Sequence, residues 1–230
     1  MLECVTNEPV QALMRGVREA GQGMKQTRER IVAEGVGLLS KSGLSGVTLG
    51  VLATQTGMSK SGLFAHFKSK EEVQLQLLDE TARVAQATVI EPAMKAPAGL
   101  KRLRVLFDRW LGWSEKAGLG GGCAVAGGFF ELDDAPEGDP VRQRLVAMEL
   151  EFRQLLTALT NDAIKHGELS ADLDVQQFVW EMCGLYLNHH VSHRFIRDPR
   201  ATKRAHLAFD ELVTRSQPAK RRVRATSRRR

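Results

Sequence analysis

Cysteine is scarce in this 230-residue chain: Cys4, Cys123 and Cys183 lie far apart and form no CxxC pair. An odd, dispersed set excludes a disulfide framework and a structural zinc module, and it fits a reducing cytoplasm. Long apolar runs are missing too; none approaches the ~18 unbroken apolar residues of a membrane helix. The opening stretch MLECVTNEPVQ has neither the basic start nor the apolar core of a secretory signal. Period-2 alternation of apolar and polar residues is almost absent, which argues against half-buried strands. There is no phosphate loop, dinucleotide fingerprint or nucleophile–base signature, so nothing points to a cofactor or to an enzyme. With 43% hydrophobic and 26% charged residues, the composition is that of a globular protein with ample sequence for a core.

The formal net charge of +6 is unevenly placed. Residues 218–230, PAKRRVRATSRRR, hold seven basic residues and no acid, so the remainder of the chain is at −1. A basic tail fits a polyanionic partner and fits an unselective solvated appendage equally well. Residues 1–23 show weak periodicity with several glycines and read as a disordered leader ahead of Met24.

From there the chain reads as helices separated by punctuation. The first runs over about 26–41 with Ile31, Gly35, Leu38 and Leu39 inward, and close packing is the reason expected for Gly35 and Gly37. Thr48 can cap a second helix over about 48–55, and Ser59 a short third one over about 59–65. Ser69-Lys-Glu-Glu72 is a capping box that opens a fourth, predicted to stop by Pro92. The second half predicts helices over about 98–116, from Asp139 to Gly167, over 174–197 and over 199–215. Asp139-Pro140 and Asp198-Pro199 mark two of the starts. The fold class is all-α.

The segment TLGVLATQTGMSKSGLFAHF, 48–67, has helix-turn-helix form: two helices, a glycine turn, and a short second helix led by small polar residues. Thr48, Ser59 and their helix N-termini can offer amides to phosphates, with Lys60, Lys68 and Lys70 beside them. Ser61 and Gly62 are small enough to bring a helix against a major groove. On pattern alone, an amphipathic hairpin with no role on DNA also fits. Residues 27–72 resemble the DNA-binding domain of TetR-family transcriptional regulators, most closely over Ser59-Lys-Ser-Gly-Leu-Phe-Ala-His-Phe-Lys-Ser-Lys-Glu-Glu72. The resemblance implies an N-terminal three-helix DNA-binding domain followed by a helical ligand-binding and dimerisation domain. It places Thr27, Thr48 and Lys70 at helix starts that meet phosphates, and Lys60, Ser61, Gly62 and Ala65 on the recognition helix. His66 matches a histidine near the backbone, while Phe64 stands where the family has tyrosine, removing a hydroxyl from a phosphate contact. Leu63 and Phe67 are expected in the core, and Gly50 replaces a residue that is commonly charged.

The boundaries that follow are 24–70 for the helix-turn-helix domain, 71–92 for a connecting helix, 93–216 for the effector and dimerisation domain, and 217–230 for a disordered tail. Apolar and aromatic residues predict a cavity lined by Trp110, Trp113, Cys123, Phe129, Phe130, Met148, Phe152, Trp180, Cys183, Tyr186 and His189, with room left by the glycines at 118–128. Such walls suit a hydrophobic or aromatic small molecule. The helices over 174–215 are apolar over more than a narrow stripe, which fits a homodimer interface or full burial. His189 and His193 share a helix face at the spacing of a metal site, but no glutamate or third ligand accompanies them. The expected function is a cytoplasmic, homodimeric regulator that binds double-stranded DNA at a palindromic operator, a repressor released by a small-molecule effector. A metal-dependent enzyme using His189 and His193, and a nonspecific nucleic-acid binder working through the tail, are the alternatives.

Overall fold

The computed structural model describes the backbone of residues 8–219 and the side chains of residues 22–219. Among the described residues the secondary structure is helical throughout. The helices are α1 (Glu8–Gly46), α2 (Leu49–Thr56), α3 (Lys60–His66), α4 (Lys70–Ala85), α5 (Glu91–Met94), α6 (Leu100–Trp110), α7 (Trp113–Lys116), α8 (Ala124–Glu131), α9 (Pro140–Lys165), α10 (Val175–His190) and α11 (Ala201–Ser216). The leader expected over 1–23 is helical from Glu8, as the first part of α1; residues 1–7 and the basic tail from Lys220 onward lie outside the described residues.

Three of the short helices start where the sequence supplies an oxygen to cap them. Thr48 accepts a hydrogen bond from the Val51 amide at 3.2 Å, Ser59 from Gly62 at 3.0 Å, and Ser69 from Glu72 at 3.0 Å. Each satisfies one of the orphan donors of a helix N-terminus. The helices α1 to α4 close over Ile31, Leu39, Leu44, Leu52, Leu63, Phe67, Leu77 and Leu78, all nearly inaccessible. Gly35 is where α1 and α4 approach: a Cβ there would stand 2.7 Å from Leu77 Cδ2. Gly37, read from sequence in the same way, has only an ordinary contact at 3.9 Å, so packing does not explain it.

Pro92 does not end the fourth helix. The chain passes from α4 through a wide π-helical turn, Gln86–Ile90, into α5, which carries Pro92 in its first turn. Proline removes an amide and crowds the carbonyl four residues back, and the wide turn ahead of it absorbs both faults. The helix expected over 98–116 is broken instead: Leu111 is extended and Gly112 left-handed (φ 63°), which separates α6 from α7. The glycine-rich stretch contains a helix, α8, that the sequence pattern did not reveal. Asp139 caps α9 as expected, accepting from Arg142 N at 2.8 Å. Asp198 holds the turn before α11 by accepting from Arg200 N at 2.9 Å, so that helix begins at Ala201.

The second core gathers α6, α9, α10 and α11 around Phe107, Leu156, Phe178, Met182 and Phe209, with Phe107 and Phe209 stacked at 4.1 Å. On α11 the buried apolar row is Ala201, Ala205, Phe209, Leu212 and Val213, while Ala208 beside Phe209 is half-buried. The two cores are not cleanly divided. Ala124 of α8 and Val141, Leu145 and Met148 of α9 pack into the core of the N-terminal helices.

Candidate functional site

The turn between α2 and α3 is made by Gly57 in a left-handed conformation (φ 67°), whose amide and that of Met58 return to α2 carbonyls. This leaves α3 anchored by Leu63, at 0% exposure, with Phe67 sealing its end. With those two residues turned inward, Lys60, Ser61, Phe64 and Ala65 are exposed, and Gly62 and His66 half-exposed. Phe64 is 52% exposed, a large cost for an aromatic ring unless a partner covers it. Thr48, Ser59, Lys68 and Lys70 are exposed on the same small domain. Over residues 24–70 there are seven basic side chains and two acidic ones, so this domain is positive independently of the tail. Gly50 leaves room for the recognition helix: a Cβ there would stand 3.3 Å from Lys60 Cε.

Thr27 does not begin a helix. It sits within α1, and its hydroxyl donates to Gly23 O at 2.9 Å, so it has no free N-terminal amides to offer. One important residue was missed by the sequence reading. Arg28 donates to the His66 carbonyl at 2.5 Å and to Glu72 Oε1 at 2.6 Å, and its guanidinium lies over the Phe67 ring at 4.6 Å. It thereby ties α1 to the end of α3 and the start of α4. Glu72 also accepts from Lys68 N at 2.8 Å. That backbone bond and the Arg28 guanidinium hold the Glu72 carboxyl below its ordinary pKa. No local signal marks Arg28, because its partners lie 38 and 44 residues away.

Behind this domain lies a cavity of about 510 Å³. Trp110, Trp113, Cys123, Phe129, Met148, Phe152, Cys183 and Tyr186 line it, as the sequence reading expected. Trp110 stacks on Tyr186 at 4.1 Å and meets Phe152 edge-on at 4.7 Å. Three expected residues are elsewhere. Phe130 (65% exposed) and Trp180 (62% exposed) lie on the outward faces of α8 and α10, about 100° from Phe129 and Val179 respectively. His189 is buried beyond the cavity, its Nε2 3.1 Å from Thr202 Oγ1. The sequence reading missed a whole wall, Thr81 to Met94, supplied by α4, its wide turn and α5, and it missed Glu149 and Glu151 on α9. Both glutamates sit between apolar lining residues, where helical periodicity alone does not say which side faces a void.

Burial pushes the Cys183 thiol up to about 11, so it is protonated at neutral pH. Burial also lifts the Tyr186 hydroxyl well above its ordinary value, with Cys123 adding to the effect. Cys123 caps α8, its sulfur accepting from Ala126 N at 3.4 Å. Burial lowers His189 to about 4, which keeps it neutral. It stacks on His193 at 5.2 Å, and His193 faces Glu115 at 3.1 Å. Among the described residues, no group of three or more His, Cys, Asp or Glu side chains could hold a metal ion.

The cavity wall is clasped to α1 at two places. Glu131, at the end of α8, accepts from Leu44 N at 3.0 Å and Ser45 N at 2.7 Å. At the other end Ser40 Oγ donates to Gly122 O at 2.7 Å, and Gly122 N donates to Ser40 O at 2.9 Å. Gly121 is obligatory here, since a Cβ would stand 2.1 Å from Ser40 O.

Comparison with known proteins agrees with this geometry. Residues 31–77 match the family model described as bacterial regulatory proteins, tetR family, and residues 99–209 match that of the tetracyclin repressor-like C-terminal domain. An uncharacterized HTH-type transcriptional regulator of Bacillus subtilis, YerO, is 36% identical over 52 residues; the match spans 23% of this chain and only 18% of that protein. A TetR transcriptional regulator from Chloroflexus aurantiacus shares the fold with a TM-score of 0.72 at 22% identity, covering 84% of this chain and 95% of that one. The transcriptional regulator FadR of Bacillus subtilis, solved in complex with stearoyl-CoA, has a TM-score of 0.63 at 16% identity, covering 80% and 97%. With both family models matched in order over most of its length, the chain belongs to the TetR family of DNA-binding transcriptional regulators.

Proposed function

We propose that this protein is a homodimeric repressor, working in the cytoplasm, that holds a palindromic operator until an apolar or aromatic ligand enters its cavity. The observation that carries the reading is the cavity's double attachment. One wall is the continuation of α4, the helix that follows the recognition helix, and another is α8, clasped to α1 by Glu131 and Ser40. A ligand that spreads these walls moves both helices on which the helix-turn-helix is mounted. Two recognition helices about 34 Å apart fit successive major grooves, and a shift of a few ångströms spoils that spacing. The ligand acts by preferring the state with the wrong spacing, so coupling is a population shift.

The dimer is placed on α10 and α11. Trp180, Leu207 and Val191 are exposed apolar residues of this pair and its extension, and Gly184, one turn beyond Trp180, has open space beside it. Base reading is assigned to Lys60, Ser61, Gly62 and Ala65, and phosphate contact to Thr48, Ser59, Lys68, Lys70 and the His66 region. An enzymatic reading through His189 and His193 gains nothing from the geometry, in which both imidazoles already have partners.

The test is fluorescence anisotropy at about 150 mM salt, where weak phosphate-only binding is largely suppressed. The protein's own upstream DNA is compared with a scrambled duplex, with and without residues 218–230. A preference for the native duplex that survives loss of the tail is expected. Equal binding to both that vanishes with the tail would replace this reading by a nonspecific, tail-driven binder.

A further inference from the structure

The cavity's lining chemistry is one-sided. Its aromatic walls include Trp110, Trp113, Phe152 and Tyr186; among the described residues its only charged lining groups are the carboxylates of Glu149 and Glu151, and no lysine, arginine or histidine lines it. Glu151 is largely exposed, with Arg144 at 3.6 Å. Glu149 is half-buried, and Arg153 Nε donates to its Oε1 at 2.6 Å. Oε2 accepts no hydrogen bond from the described residues and is not a buried atom, so it is open to solvent and free to take a donor. Arg153 thus holds one oxygen of a carboxylate whose residue lines the cavity, and leaves the other without a protein partner.

An anionic ligand entering here would shed its hydration, meet Glu149 and find no cation in the lining to replace the lost water. A ligand with an N–H donor completes a chain from Arg153 through Glu149 to itself, with charge-assisted bonds on both carboxylate oxygens. An ammonium also gains from nearby aromatic faces, and about 510 Å³ falls within the range of drug-sized pockets. Resting on the reading of this cavity as the effector site, we infer that the effector is an arylalkyl amine, protonated at neutral pH, whose N–H group binds Glu149, and that arylalkyl carboxylates are rejected. Rings fill the apolar part, and the single donor supplies orientation.

The experiment is isothermal titration calorimetry on the full chain at neutral pH, without DNA, with three probes of one skeleton: naphthylethylamine, naphthylethanol and naphthylacetic acid. The amine is expected to bind about tenfold more tightly than the alcohol, with the acid weakest. Glu149→Gln brings the amine to the alcohol's affinity and leaves the alcohol unchanged; Glu151→Gln leaves the amine within about twofold. Glu149→Asp, which keeps the charge but withdraws it, gives an intermediate loss, and melting curves of each variant verify folding. Binding of the acid as tightly as the amine, or an amine preference that survives Glu149→Gln, overturns the inference while the cavity reading stands. Failure of all three probes to bind overturns the cavity reading itself.

Discussion

Phe64 and Ala65 stand side by side on the exposed face of α3, and their substitutions test opposite things. A glutamate at Ala65 adds a negative charge on the face proposed to meet DNA, at an exposed position. Operator affinity should fall at least tenfold with the melting temperature unchanged, read by anisotropy and thermal denaturation. Phe64→Tyr restores a hydroxyl that can donate to phosphate, and a charge-assisted bond of this kind contributes about 1.5–3 kcal/mol. A gain in operator affinity of about tenfold is expected, without loss of stability. Phe67, three residues on, belongs to the core at 1% exposure. Phe67→Ala should cost about 3–5 kcal/mol in denaturant unfolding.

The ion pair between Arg28 and Glu72 joins elements rather than residues, because it holds α1 against the α3–α4 junction. Glu72 has a folded pKa below its ordinary 4.5, through the Lys68 amide and Arg28. A carboxylate so depressed contributes stability above its unfolded pKa and loses it as pH falls through the folded value. The melting temperature of the native protein should therefore exceed that of Glu72→Gln at pH 6, and the gap should close as the pH falls from the ordinary value of 4.5 through the lower folded one. At the other end of α1, Glu131 caps Leu44 and Ser45 from α8. Glu131→Ala leaves two amides without their acceptor and removes one of the two clasps between the cavity wall and α1. Operator binding without ligand should change little, while the ligand concentration needed for release should rise several-fold, measured by competing ligand against a labelled operator duplex. If release is unchanged, α4 and the Ser40–Gly122 clasp carry the signal without Glu131.

At the scale of the whole molecule the proposed dimer rests on exposed apolar side chains of α10 and α11. Trp180 and Leu207 are each more than half exposed, on neighbouring helices that pack against each other through their opposite faces. The double substitution Trp180→Glu with Leu207→Glu should yield a folded monomer by light scattering, with operator affinity lowered by two orders of magnitude or more, since each half-site then binds alone. A dimer that persists would move the interface elsewhere. The described residues also contain no helix long and apolar enough to cross a membrane.

Local chemistry made much of this protein legible before its fold was known. Caps and turns are set by neighbours three or four residues apart, so Thr48, Gly57, Ser59, Ser69 and Asp139 could be read in place. The family resemblance likewise put Leu63 and Phe67 inside and Lys60, Ser61 and Ala65 on the recognition helix, and the structure buries the first two and exposes the other three. What the sequence could not decide were relations across long separations and choices between two sides of one helix. Arg28 finds Glu72, Ser40 finds Gly122 and Glu131 finds α1 only because packing brings them together. Phe129 and Phe130 are alike in sequence, yet one lines the cavity and the other faces solvent, because a void exists on one side of α8 alone. Local bonds and periodicity determine which helices form and where they start; only tertiary packing decides where space remains between them, because a cavity is bounded by side chains from helices far apart in the chain.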